Sequence, residues 1–239
     1  EETLVNGKKL KTNIYNLVNE LASLGIWVRL HYIYPYPHVK QLIPLMGQNR
    51  VLPYLDVPFQ HAHPDVLKRM ARPSNNVHDL EQISEWRSIN PDLSIRSTFI
   101  VGFPGETESE FNFLLDWLEE AKIDRVGCFK YEDVSGARSN AMEDHLHDDI
   151  IQDRYDRFMS RAQQLSELKL KEKVGKIFTC VIDSVGQDHL ICRSIFDAPD
   201  IDGIVSVPTK QPHHRVGEHV TVKIRGSSEY DLEGQLLLS

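Results

Sequence analysis

The sequence predicts an α/β protein made of the last four βα units of a partial, TIM-like barrel, followed by a small all-β barrel of the OB type. Two observations carry this. Up to about residue 174 helical and strand patterns alternate, the signature of parallel βαβ units; beyond it only short strands and turns remain. Length supplies a third. The chain has 239 residues, and only about 135 of them alternate, against ~250 for a closed eightfold barrel. The intervals suit an open sheet as well as a barrel.

The elements follow in order. Ile14, Leu17, Val18, Leu21 and Leu24 recur at a helical period over Thr12–Leu24, and Gly25 stops the helix. Trp27–Ile33 reads as a strand, Val39–Met46 as a short helix and Val51–Val57 as a second strand. Helices over Pro64–Ala71 and His78–Ile89 precede a third strand, Leu93–Val101. Thr107 is placed to cap a helix over Thr107–Ala121, with Glu110 in the capping-box position. Arg125–Tyr131 is the fourth strand. Asp148–Lys173 is one long helix, and Gly175 lies where a C-cap belongs. Five short strands then fit a small barrel: Ile177–Asp183, His189–Arg193, Gly203–Val207, His219–Arg225 and Gln235–Leu238. The domains expected are 1–147 for the partial barrel, 148–173 for a connecting helix and 174–239 for the small barrel.

Composition is that of an ordinary globular protein, 41% hydrophobic and 26% charged. Three widely spaced cysteines form no disulfide framework and fit the reducing cytoplasm. No apolar run approaches the roughly 20 residues of a membrane helix. A net charge of −8 argues against general RNA or DNA binding and for a basic protein partner. The chain is expected to be monomeric.

In parallel β/α folds ligands sit beyond the C-terminal ends of the strands. Those ends offer His31, Tyr32 and Tyr34 with the string PYPH; Asp56, Gln60, His61 and His63; Arg96, Thr98, Gly102 and the turn VGFPGE; and Lys130, Tyr131 and Asp133. The two glycines of VGFPGE mark a tight turn or a close approach to its backbone. His61-x-His63 invites a metal reading, but the third strand end offers Arg96 and Thr98, which are poor ligands, and His63 before Pro64 reads as a helix-entry residue. Cys128, Cys180 and Cys192 read as core residues, and no CxxC or CxxxCxxC is present. Arg154, Arg157 and Arg161 form a stripe expected to be solvated and paired with nearby acids.

Taken together, YLDVPFQHAHP, RSTFIVGFPGETESEF and DRVGCFKYEDVSGARSNAM, with LGIWVRLHYIYPYPHV before them and DAPDIDG after, closely resemble the radical-SAM methylthiotransferases. The branch they resemble modifies an aspartate of a small-subunit ribosomal protein. The resemblance implies a six-stranded partial barrel, of which this chain has the last four strands, and a C-terminal TRAM domain. It also implies two [4Fe-4S] clusters and S-adenosylmethionine in the whole enzyme. The cluster cysteines are absent from this stretch, so it is expected to hold no metal, to bind no cofactor and to be inactive alone, with no catalytic residue of its own. Position by position, the resemblance places Thr98, Ile100, Gly102 and Glu106 against the nucleoside. Val126, Gly127 and Phe129 lie along the adenine, and Gln60 and His61 sit in a loop facing the site. Arg96 would pair with a carboxylate of the cofactor or of a substrate aspartate.

Two rival functions remain: methylthiolation of a tRNA adenosine within the same family, and a non-catalytic interaction module. From Val174 onward nine acidic residues face six basic ones, which suits a basic ribosomal protein better than RNA.

Overall fold

The computed structural model describes residues 2–5, 8–11, 13–34, 37–48, 50–72, 76–209 and 213–237. It opens on an antiparallel hairpin of β1 (Glu2–Val5) and β2 (Lys8–Lys11). The alternation pattern misses this hairpin, although Asn6-Gly7, outside the described residues, is the usual two-residue hairpin signal. Helix α1 (Ile14–Ala22) follows, capped by the Asn13 side chain, which accepts from the Tyr15 amide at 2.8 Å. Of its expected apolar stripe only Val18 is fully buried.

The expected strand Trp27–Ile33 shrinks to one parallel bridge, Leu30 to Leu55. Its side chains are committed to the small barrel instead. Arg29 donates to the carbonyls of Asp197 (2.5 Å) and Ile195 (3.3 Å), and Trp27 packs on His219. Tyr32, at φ +54°, then leaves the extended conformation. A 3-10 turn (Pro37–Gln41) and α2 (Ile43–Gly47) replace the single helix expected there, because Pro44 suits only a helix's first turn.

β3 (Tyr54–Asp56), α3 (Pro64–Arg69), α4 (Asn76–Ile89), β4 (Ser94–Val101), α5 (Glu108–Ala121) and β5 (Arg125–Lys130) complete the α/β part. The strands form a parallel sheet in the order β3-β4-β5. Thr107 caps α5 with Glu110 reciprocating, as the capping-box pattern requires. In β4, Ile95, Ser97, Phe99 and Val101 are buried toward the helices, while Arg96, Thr98 and Ile100 lie half-buried on the other, inner face.

Helix α6 (Asp148–Lys171) spans both cores. Phe158 and Ala162 join the sheet's core, and Leu170 joins that of the small barrel. Strands β6 (Ile177–Val185), β7 (His189–Ser194), β8 (Val205–Pro208), β9 (His219–Ser227) and β10 (Leu232–Leu236) close into a barrel ordered β10-β8-β7-β6-β9. The closing pair β8–β10 is parallel, whereas the other pairs are antiparallel. An odd number of strands cannot alternate direction all the way round a ring.

The loop after β7 carries the string Asp197–Gly203 onto the inner face of the parallel sheet, at the N-terminal end of its strands. Asp197, 1% exposed, pairs with Arg125 and accepts from Ser194 Oγ at 2.5 Å. Asp202 accepts from Tyr54 Oη at 2.7 Å and faces Arg96 Nε at 3.6 Å. Ser94 Oγ donates to the Phe196 carbonyl at 3.3 Å. Burial alone would raise the Asp197 pKa, but Arg125, Lys173 and Ser194 outweigh it and hold the carboxyl below its ordinary value. This joint also corrects the charge argument. Asp197 and Asp202 are buried against cations, so seven acidic residues of the small-barrel segment remain outward against six basic ones. Lys210 among these lies outside the described residues.

Asp197→Asn strands the buried Arg125 charge. It is expected to cost about 3–5 kcal/mol in urea unfolding. Because the folded pKa lies below the unfolded one, the Asp197 contribution is complete above about pH 4 and disappears as pH falls through the folded value. The variant's acid-unfolding curve should therefore be flatter than the wild type's; identical curves would show that the pair contributes nothing.

Candidate cofactor site at the mouth of the partial barrel

β4 ends in the turn Val101–Glu106. Gly102 and Gly105 adopt φ of +80° and +74°, which only glycine takes without strain. Glu106 folds back under the turn and accepts from the amides of Gly102 and of Phe103 (3.1 Å). Its other oxygen faces Arg154 Nη1 at 3.5 Å and His61 Nε2 at 3.9 Å, and the side chain is fully buried. What approaches Gly102 is Ile151 of α6: a Cβ there would lie 2.7 Å from one Ile151 carbon and 2.8 Å from another. Arg154 also donates to the Glu106 carbonyl at 2.8 Å. The arginine stripe is thus paired as expected, Arg157 with Glu108 (2.7 Å) and Arg161 with Glu119. Arg154, however, is buried rather than solvated, since it ties α6 to the turn.

His61 is buried behind the same turn. Its Nδ1 accepts from the His63 amide at 2.9 Å, which puts the ring proton on Nε2, toward Glu106. Burial lowers its pKa and keeps it neutral, although Glu106 opposes this. Gln60, at φ +69°, bridges to β4: its amide donates to the Thr98 carbonyl (3.1 Å) and its carbonyl accepts from the Ile100 amide (2.8 Å). His63 is the helix-entry residue, its Nδ1 accepting from the Asp65 amide at 3.3 Å. His63, Asp65 and Glu110 cluster within 4.8 Å. Arg69 already grips both Glu110 oxygens, at 3.1 and 2.8 Å, so the group reads as a capped ion pair.

The inner face gathers a different set. In register, Thr98 lies beside Gly127 and Ile100 beside Phe129, which is exposed. Arg96 Nη1 donates to Asp56 Oδ1 (3.1 Å) and reaches Thr98 Oγ1 (3.5 Å). Asp56 Oδ2 accepts from the Tyr32 amide (3.2 Å) and lies 3.7 Å from His31 Nδ1. A cavity of about 250 Å³ opens between sheet and small barrel, lined among others by Arg96, Val126, Gly127, Asp202 and Tyr230. The structure therefore brings Arg96, Val126 and Gly127 to one cavity. It sets Thr98, Ile100 and Phe129 along the same face toward the mouth, with Gln60 pairing onto β4. Gly102 belongs to the turn and faces Ile151, and the side chains of His61 and Glu106 lie behind it. Pro35 and Tyr36 of the PYPH string lie outside the described residues. Sequence reasoning missed Tyr54 and the pairing of Asp202 with Arg96, residues far apart in the chain. The only available signal was an acidic string in the small barrel and arginines on predicted strands.

Cys128 packs toward the helix layer, and Cys180 and Cys192 fill the small-barrel core. Burial pushes all three thiols up, Cys192 to about 12. Iron–sulfur clusters need thiolates converging on one point. These cysteines lie in two separate cores and do not fit a cluster.

Residues 174–237 match the TRAM domain family. Three curated relatives are each a ribosomal protein uS12 methylthiotransferase RimO. The Roseobacter denitrificans protein is 56% identical over 95% of this chain and 49% of its own length. That of a Jannaschia species is 55% identical over 95% and 50%. The Ruegeria pomeroyi protein is 50% identical over 99% and 51%. The chain spans about half the length of the curated relatives it matches. Coproporphyrinogen III oxidase (HemN) from Escherichia coli, a radical SAM enzyme, shares the fold at a TM-score of 0.53 and 17% identity, over 64% of this chain and 36% of that one. Among the described residues no helix is long and apolar enough to cross a membrane.

Two outcomes follow from the packing. Gly102→Ala pushes a methyl into Ile151 at a left-handed position and should cost roughly 1–3 kcal/mol beyond Gly136→Ala, whose Cβ would meet open space. Paired urea titrations compare them, and equal costs would remove Ile151 from the explanation. In native protein at pH 8, the Cys180 and Cys192 thiols should resist a disulfide reagent until denaturant is added. Rapid native labelling of either would contradict the burial described.

Proposed function

We propose, on the premise that this chain belongs to the RimO family of methylthiotransferases, that it supplies the S-adenosylmethionine-facing part of the barrel and the TRAM domain of an enzyme that places a methylthio group on the β-carbon of an aspartate in ribosomal protein uS12. The observation that carries this reading is identity of 50 to 56% to RimO proteins over nearly the whole chain. Turnover belongs to the whole enzyme, because the cysteines present do not fit a cluster, and no step through one is assigned to this chain.

The inner face fits a nucleoside. Ile100 and Phe129 offer apolar surface, and Gly127 leaves room beside Thr98. Among the described residues β5 pairs on one side only, so its outer backbone groups at Val126–Phe129 are available to an adenine edge. Gln60 and Arg96 supply the polar contacts proposed for this pocket, while His61 and Glu106 shape the turn from behind. The chemistry the cofactor supplies when bound is hydrogen abstraction from an unactivated carbon. The residues named here hold and orient it and exclude water. The proposed partner is a basic ribosomal protein, met by the outward acids of the TRAM domain. Charge separates protein from RNA less sharply than the whole-tail count suggests, because two of the nine acids are buried in the joint.

The deciding experiment uses the full-length enzyme, reconstituted without oxygen, with S-adenosylmethionine, sulfide, a reductant and either uS12 or tRNA. A methylthio group on a uS12 aspartate, with none in the digested tRNA, is expected by mass spectrometry; the reverse pattern overturns the substrate. Arg96→Gln should lower kcat/KM about 10–100-fold with the fold intact. An unchanged rate would favour a non-catalytic module.

A further inference from the structure

We infer that Asp202, a TRAM-domain residue, is a positioning residue for the barrel's cofactor site, acting through Tyr54, Arg96 and Asp56 on the His31–Tyr32 segment at its mouth. The inference rests on the reading that this mouth holds S-adenosylmethionine. Two routes leave Asp202. Its Oδ1 lies 3.6 Å from Arg96 Nε, and Arg96 Nη1 donates to Asp56 Oδ1 at 3.1 Å. Asp56 Oδ2 in turn accepts from the Tyr32 amide at 3.2 Å and faces His31 Nδ1 at 3.7 Å. By the second route, Asp202 Oδ2 accepts from Tyr54 Oη at 2.7 Å, and the Tyr54 ring lies 5.6 Å from the His31 ring. Both end at the same segment. Tyr32 there stands at φ +54°, a conformation that costs a non-glycine residue and persists only where its surroundings impose it.

The neighbouring aspartate makes the contrast. Asp197 is held by Arg125 and Ser194, and among the described residues it makes no hydrogen bond or ion pair with Arg96 or Asp56. One loop thus carries a clamp and a positioning group. Asp202 fixes which guanidinium edge Arg96 turns to Asp56. Without its charge, Arg96 is free to rotate away, and Asp56 no longer holds the Tyr32 amide.

The test compares full-length wild type, Asp202→Asn, Asp202→Glu and Asp197→Asn. In the cluster-free protein, hydrogen exchange over residues 28–34 should quicken in Asp202→Asn and not in Asp197→Asn, whose main effect is a lower Tm. In the reconstituted enzyme, Asp202→Asn should weaken S-adenosylmethionine binding and raise its KM on the order of tenfold, with kcat changed less. Asp202→Glu should recover part of the loss. Wild-type exchange and KM in Asp202→Asn, or losses in both asparagine variants that simply track Tm, overturn the inference. A wild type that binds S-adenosylmethionine yet leaves uS12 unmodified overturns the substrate alone. One that binds none overturns the pocket and this inference together.

Discussion

Two carboxylates on one loop of the small barrel, Asp197 and Asp202, reach the inner face of the parallel sheet and meet the arginines that arrive there from separate strands. An arginine on a half-buried sheet face needs a counter-charge, and so does a buried aspartate; each is costly without the other. The joint therefore ties the small barrel to the inner face of the sheet. It also explains the loss of regular strand at Trp27–Ile33. Arg29 and Trp27 are pulled onto the small barrel, and only Leu30 still bridges to Leu55.

A second constraint shapes the mouth. The Val101–Glu106 turn is held from beneath, by Glu106 on its own amides, by Arg154 from α6 and by Ile151 against Gly102. A glycine-rich turn at a strand end invites a ligand reading, yet here the close approach is made by the protein. The conformation of the turn is therefore fixed by the protein's own packing.

Much of the α/β part was legible. Helix α5 announced itself through Thr107 and Glu110, and β4 through its apolar run. Four of the five small-barrel strands showed in their spacing, while the last, expected at Gln235–Leu238, begins three residues earlier at Leu232; the cysteines showed in the absence of any cluster motif. Less was legible where local pattern and tertiary demand disagree. The Leu17 and Leu24 positions of the first helix are apolar but exposed, and Pro44 splits the short helix expected over Val39–Met46. The arginine stripe of α6 was read as one surface, whereas Arg154 faces inward, because the stripe straddles the boundary between core and solvent.

Sequence alone determined the class of fold, a change of pattern near residue 174 and the family these strings resemble, because short-range periodicity, capping and motif spacing are local properties. Tertiary structure decided the rest. It chose which candidate residues share a face: Arg96, Thr98 and Gly127 together, His61 and Glu106 behind. It withdrew two acids from the TRAM surface and joined Asp202 to Arg96 across more than a hundred residues of chain. Pairings at such separation leave no periodic trace in a single sequence; they exist only once the sheet, the long helix and the small barrel have been packed.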